Sequence, residues 1–276
     1  MRIAIIGGSG KMGRWFANFL LKDGKEVIIT GRNQKKLLEA KQQLGVEVTT
    51  NVEVAAKNAD VILISVPVDN FEEVVKQLQP HLHAKQIIID ITSIKAFPVE
   101  LMHTYIKSGL VLGTHPVFGP GARDILNQNF VLTPTNEEET GLAQKIKQYL
   151  ETRGARVTLM TPHEHDEMMA VILGLSHFIA IVAADTLLSF DKLKQMEAIG
   201  GITYKVLLTL VESVISEDTE LYASLQMHLP EITEVEELFQ RKSKTWTDII
   251  KNKDRQEFVK RMATLKDGLE KSDPDF

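Results

Sequence analysis

Ile5-Ile6-Gly7-Gly8-Ser9-Gly10-Lys11-Met12-Gly13 opens the chain almost at its first residue. It holds the pattern G-x-G-x-x-G at Gly8, Gly10 and Gly13. An apolar run, Ile3–Ile6, precedes it and an amphipathic stretch, Gly10–Lys22, follows. The pattern alone is weak, and an ordinary glycine-rich turn is the competing reading. Set between a strand and a helix at the start of an α/β half, it predicts a dinucleotide site. Gly8 is expected to permit the tight turn, Gly10 to let the backbone approach a pyrophosphate, and Gly13 to let helix pack on strand. The helix N-terminus adds free N–H groups and a partial positive charge. Gly8, Ser9, Gly10, Lys11, Met12 and Gly13 are therefore the expected cradle.

Working outward, short apolar runs recur at Ile3–Ile6, Glu26–Thr30, Val61–Val66, Gln86–Ile91, Leu110–Thr114, Asn129–Thr133 and Arg156–Met160. They are rich in Val and Ile and mostly continuous, which is how strands buried on both faces of a parallel sheet read. Amphipathic segments such as Gly10–Lys22, Phe71–Leu82 and Glu137–Arg153 lie between several of them. Such alternation implies right-handed crossovers. The predicted class is α/β, with a Rossmann-type doubly wound sheet over residues 1–160 and an all-α domain over residues 161–276. Thr161-Pro162 reads as a helix start, Gly174 as the one breaker before Phe190, and Gly200-Gly201 and Pro230 as later breaks. The tail Lys271–Phe276 is read as frayed.

The 276 residues suit one large domain or two ordinary ones, and 43% hydrophobic with 25% charged residues is a globular mix. A net charge of −5 and the absence of long basic tracts argue against a nucleic-acid partner. With no cysteine, disulfides and thiol catalysis are excluded, and no metal-ligand spacing is visible. The N-terminal apolar run is too short for a signal peptide. The longest apolar stretch, around Ile179–Ala184, reads as far short of a membrane span. A cytoplasmic protein is expected.

The end of the second strand reads Ile29-Thr30-Gly31-Arg32-Asn33, without the acid that bonds a ribose 2′-hydroxyl in NAD enzymes. Arg32 could pair with a 2′-phosphate, helped by Lys35 and Lys36, so NADP is expected ahead of NAD. Alternatively Arg32 stacks on the adenine and both cofactors are accepted.

Two further motifs stand at strand ends, where open α/β sheets bind ligands. They are Asp90-Ile91-Thr92-Ser93-Ile94-Lys95 and Thr114-His115-Pro116-Val117-Phe118-Gly119-Pro120. Pro116 fixes its own φ and holds His115 extended. A histidine so placed suits reversible proton pickup. Spacing alone supports equally a loop histidine that only bonds locally.

These three motifs, in this order, resemble the prephenate dehydrogenase family, closest to its archaeal members and to the dehydrogenase part of the enterobacterial chorismate mutase–prephenate dehydrogenase. His165-Asp166-Glu167-Met168-Met169, Gly174-Leu175-Ser176-His177-Phe178 and Glu220-Leu221-Tyr222-Ala223-Ser224-Leu225-Gln226-Met227 extend the resemblance over nearly the whole chain. It implies oxidative decarboxylation of prephenate to 4-hydroxyphenylpyruvate, with hydride passing to NAD(P). His115 would accept the C4 hydroxyl proton. Ser93 would bond that hydroxyl or His115, or else cap the helix after Lys95.

The resemblance also makes His177 a pocket residue, against a plain helix-interface histidine. Asp166, 11 residues earlier, falls on nearly the same helix face. A family block ending in arginine reads here Gly201-Ile202-Thr203-Tyr204-Lys205, so Lys205 keeps the charge without the bidentate fork. Arg123 is a second candidate for a substrate carboxylate, although a solvated surface cation is its favoured reading. Family members dimerise, so a homodimer is expected. A monofunctional enzyme, without an attached mutase or regulatory domain, is the expectation. Arogenate, carrying an amino group for the keto group, is the alternative substrate. A different two-domain reductase and a non-catalytic NADP-binding sensor are the remaining readings.

Overall fold

A computed structural model of the chain describes residues 1–273. It forms two compact units, one from Met1 through Pro230 and one beginning at Glu231.

The first unit is built on eight strands. They are β1 (Arg2–Ile6), β2 (Glu26–Thr30), β3 (Glu47–Thr49), β4 (Val61–Ile64), β5 (Ile87–Asp90), β6 (Leu110–Pro116), β7 (Asn129–Thr133) and β8 (Arg156–Leu159). Their spatial order is β3-β2-β1-β4-β5-β6-β7-β8. Chain order reverses between β1 and β4, and the crevice there is where such sheets bind ligands. All pairs are parallel except β6–β7, which is antiparallel.

The continuous apolar runs are explained by burial on both faces. Ile3, Ile5, Val27 and Ile29 enter one core, packed with Phe16, Ala17 and Leu20 of helix α1 (Lys11–Lys22) and Leu37 of α2 (Gln34–Leu44). Ala4, Ile6, Ile28, Ile62 and Ile64 enter the other, packed with Ala55 and Ala56 of α3 (Val52–Lys57), Phe71 and Val75 of α4 (Phe71–Leu78), and Met102 of α5 (Ala96–Tyr105). Helix α6 (Glu137–Glu151) returns to the first face through Leu142, Ala143 and Leu150.

Beyond β8, Thr161 caps α7 (Pro162–Met169) in a reciprocal box with Glu164. The helix continues through a π segment, Ala170–Leu175, into α8 (Ser176–Leu188). Helices α9 (Leu193–Ile199), α10 (Ile202–Ile215) and α11 (Thr219–His228) complete this unit. The breaks at Gly200-Gly201 and before Pro230 fall where the sequence puts them.

The second unit pairs α12 (Ile232–Lys251) with α13 (Arg255–Ser272), where Trp246 and Phe258 meet edge to face at 5.2 Å. Helix α13 carries Lys271 and Ser272, so those residues are not frayed. Residues 274–276 of the expected tail lie outside the described residues.

One expectation about membranes needs correction. Counting only unbroken apolar residues misses that Pro162–Leu188 is one continuous helix with a window of mean hydropathy 2.0, long and apolar enough by length and composition to cross a bilayer. Only 11% of that window is buried within the chain.

Candidate functional site

The glycine turn differs in detail from its sequence reading. The left-handed residue is Gly7, at φ 82°, so Gly7 rather than Gly8 makes the tight turn. Gly8 is bare because a Cβ there would lie 2.5 Å from that of Ile29 on β2. A Cβ on Gly13 would meet the Gly8 Cα at 2.5 Å, so the close packing at this position is of the helix against the glycine turn rather than against the strand. At Gly10 a Cβ would meet only the Gly7 carbonyl oxygen, at an ordinary contact distance of 3.4 Å, so no other part of the chain crowds that face. Gly10 caps α1, and the first-turn N–H groups of α1 point out of the turn. These features fit a pyrophosphate.

At the end of β2, Arg32 is exposed and its guanidinium donates to the Asn70 side chain at 3.1 Å. Asn33 caps α2 by accepting from the Lys36 N–H. No carboxylate stands at this strand end, so a cation meets whatever binds past Gly31.

The loop after β6 is fastened to the nucleotide helix. Trp15, two residues past Gly13, donates its indole N–H to the Ala122 carbonyl at 2.6 Å and meets the Phe118 ring at 4.9 Å. The segment following His115 is therefore held against the helix that begins at the glycine turn.

His115 itself lies in β6, opposite Val131 of β7, and is 4% exposed. Its Nδ1 is 2.8 Å from Nε2 of His165, and His165 Nδ1 is 2.7 Å from Oδ1 of Asp166. Asp166 Oδ1 and Oδ2 also accept the backbone N–H groups of Lys95 and Ala96, at 2.7 and 2.8 Å. This chain sets the tautomers. A carboxylate only accepts, so His165 donates from Nδ1 and, while neutral, accepts at Nε2. His115 must then donate from Nδ1, and its Nε2 carries the lone pair. No hydrogen bond to that Nε2 is found among the described residues. Burial, reinforced by His165 and Lys95, holds the His115 pKa well below 6.5. Burial also lowers that of His165, opposed by Asp166.

Underneath lies a fully buried ion pair, the Lys95 ammonium on Asp90. Lys95 also donates to Thr92 Oγ1 at 3.1 Å and to the Thr114 carbonyl at 2.7 Å. It thus ties the end of β5 to the residue before His115. Burial pushes the lysine pKa down and Asp90 pulls it back up.

The other predicted residues fare differently. Ser93 is half-buried and does not cap α5; the cap residue is Lys95, and Asp166 supplies the missing acceptors from another helix. His177 is half-buried and meets the Tyr222 ring edge-on at 4.7 Å. Asp166 and His177 do not share a common partner. The π segment between them spends extra residues per turn, so counting at 3.6 per turn misplaces His177. Lys205 and Arg123 are both exposed. The sequence motifs contain His165, Asp166, Asp90 and Lys95, but sequence reasoning gave none of them a part in this relay or ion pair. The available signal was an adjacent His-Asp pair at the start of a helix that leaves the sheet.

A family model described as prephenate dehydrogenase, nucleotide-binding domain, matches residues 16–159, more than half of the chain. The chain belongs to the prephenate dehydrogenase family. A second model, the dimerization domain of that family, matches residues 161–264. Among relatives, a probable arogenate/prephenate dehydrogenase of Methanocaldococcus jannaschii is 37% identical over 265 residues, covering 95% of this chain and 59% of the relative. The T-protein of Haemophilus influenzae is 28% identical, covering 96% of this chain and 66% of the relative. The chain thus spans about six-tenths of the length of these relatives. Among solved structures, a prephenate dehydrogenase from A. aeolicus, in complex with hydroxyphenyl propionate and NAD+, superposes with a TM-score of 0.80 at 22% identity, covering 99% and 98% of the two chains. The Synechocystis arogenate dehydrogenase superposes at 0.72 and 21% identity, covering 99% and 100%. These two share the fold of this family member.

Proposed function

We propose that the chain oxidatively decarboxylates a cyclohexadienyl substrate, prephenate or arogenate, in tyrosine biosynthesis. The observation that carries this reading is the Asp166–His165–His115 relay, which leaves one basic nitrogen at the rim of the sheet. Family membership supports it, as does the hydroxyphenyl ligand of the A. aeolicus relative.

In this reading His115 Nε2 takes the proton of the C4 hydroxyl. When bound, NAD(P) supplies a hydride acceptor for C4. The C1–carboxylate bond then breaks, its electron pair enters the ring, and CO2 leaves. His115 returns its proton to the new phenol oxygen, so no net proton is released. That return suits a base whose pKa is held low: it accepts a proton only while the hydroxyl is becoming a carbonyl. Ser93 is assigned to the C4 hydroxyl or to His115, His177 to the pocket near the substrate, and Lys205 to a substrate carboxylate. The exposure of Arg123 fits the surface cation favoured for it.

Arg32 assigns the cofactor preference to NADP, because the end of β2 offers a guanidinium and no carboxylate. Purified protein assayed at the absorbance of the reduced cofactor, with prephenate and arogenate and with NAD and NADP, tests both assignments. Arg32→Asp is expected to lower kcat/KM for NADP by about tenfold or more against NAD, the loss of one charge-assisted contact. An unchanged NADP/NAD ratio would remove Arg32 from the pocket.

Residues 161–276 are assigned to substrate binding and dimerisation. Val171, Ile172, Ile181, Val182, Ile202 and Val206 are all exposed on α10 and the helix from Pro162 to Leu188. Exposed apolar surface of this kind marks an interface, and the matched dimerization domain supports a second copy as its cover. A homodimer is the expected species in light scattering, in the cytoplasm and free of lipid. A monomer, or partition into lipid vesicles, would overturn that assignment.

A further inference from the structure

Among the described residues, four buried side-chain atoms have no hydrogen-bond partner: Asp90 Oδ2, His177 Nδ1, Tyr204 Oη and Gln226 Oε1. Buried polar groups in native proteins are nearly always paired, so orphans of this kind need an explanation. The Asp90 carboxylate already holds Lys95 through its other oxygen, Oδ1. Two of the others fall in one cluster. The His177 ring packs edge-on against Tyr222, and Gln226 follows Tyr222 by one turn of α11. Gln226 Nε2 donates at 3.0 Å to the carbonyl of Gly174, three residues before His177.

That bond fixes the chemistry of the orphan. A carbonyl only accepts, so the atom facing Gly174 is the amide nitrogen and the unpaired atom is the amide oxygen. The position of the cluster is also fixed. Ser224 Oγ donates at 2.5 Å to Asp69 in the turn after β4, which clips α11 to the rim of the sheet beside the glycine turn. Gly174 lies on the same continuous helix as His165, which touches His115 on β6. The cluster therefore lies between α11, which is clipped to the turn after β4, and the helix whose first turns carry His165.

We propose that Gln226 Oε1 receives the α-ammonium of the substrate side chain, so that this enzyme takes the amino acid arogenate in preference to the keto acid prephenate. An ammonium brings three donors and no acceptor, whereas a keto oxygen brings only acceptors and would face the amide oxygen without a proton between them. Burial lowers the pKa of His177, so the neighbouring imidazole adds no positive charge against the ammonium. The assignment rests on the dehydrogenase reading above.

Initial rates of the full chain with each substrate at saturating cofactor provide the test. The parent is expected to favour arogenate in kcat/KM. Gln226→Leu should lower the arogenate value by about 10–100-fold, the worth of one hydrogen bond to a charged group, and raise the prephenate value, because the clash with the keto oxygen is removed. Gln226→Leu also loses the bond to Gly174. Gln226→Glu loses that bond too but keeps an acceptor, and it should retain the arogenate preference. Equal losses for both substrates in Gln226→Leu, a Gln226→Glu variant as poor with arogenate as Gln226→Leu, or a parent that favours prephenate would each overturn the ammonium assignment while leaving the dehydrogenase intact. A parent that turns over neither substrate would instead remove the dehydrogenase reading itself.

Discussion

His115→Asn is expected to lower kcat by about 10²–10⁴-fold, the usual worth of a general base, with cofactor affinity unchanged. Asparagine can still bond His165, so the relay keeps a partner and the strand keeps its shape. The glycine turn is three strands away along the rim, at about 4.8 Å per strand and roughly 14 Å in all, and the Trp15 contact to Ala122 does not pass through the imidazole. The pH profile carries a second expectation. Burial first, then His165 and Lys95, depress the His115 pKa well below 6.5. A depressed pKa keeps the neutral, basic form present as pH falls. The acid limb of kcat/KM should therefore lie below 6.5, and it should vanish in His115→Asn. Turnover of the asparagine variant at the parent rate, or an acid limb at or above that value, would remove His115 as the base.

The sheet was legible because burial on both faces leaves its mark in composition: Ile3–Ile6 and Val61–Ile64 carry no polar residue at all. Glu47–Thr49 was missed because it is a three-residue edge strand of which no residue is fully buried. The antiparallel turn of β7 was hidden for another reason. Strand direction is set by the path of the chain between Pro116 and Asn129, and that path is loop, with no periodicity to read. The site was legible where chemistry is local. Gly8 through Gly13 are contiguous, and Pro116 restrains its own neighbour. It was illegible where the chemistry is assembled at a distance. His165 stands 50 residues from His115, and Asp166 stands 71 from the Lys95 N–H that it caps. Helical phase led the wrong way there. Asp166 and His177 share a face only if the turns between them are regular, and the π segment breaks that regularity.

Lys95→Met should cost about 3–5 kcal/mol of stability, because it leaves the Asp90 carboxylate buried with its charge uncompensated. Both side chains are fully excluded from solvent, so water cannot replace the lost ammonium. Methionine fills nearly the same volume, so the effect is not that of a cavity. The Thr114 carbonyl loses its donor as well, at the residue that immediately precedes His115. For a chain of this size the loss corresponds to a drop in melting temperature on the order of 10 °C. The pair also shows where the stability comes from. A buried ion pair replaced on both sides by apolar residues is often neutral, so Asp90→Leu combined with Lys95→Met should recover much of what the single change loses. Thermal and urea unfolding of the parent, both single variants and the double variant give the coupling directly. A single Lys95→Met variant as stable as the parent would mean that the ammonium–carboxylate contact adds nothing to the stability of the fold. The end of β5 would then be held to the base-bearing end of β6 by the strand pairing alone.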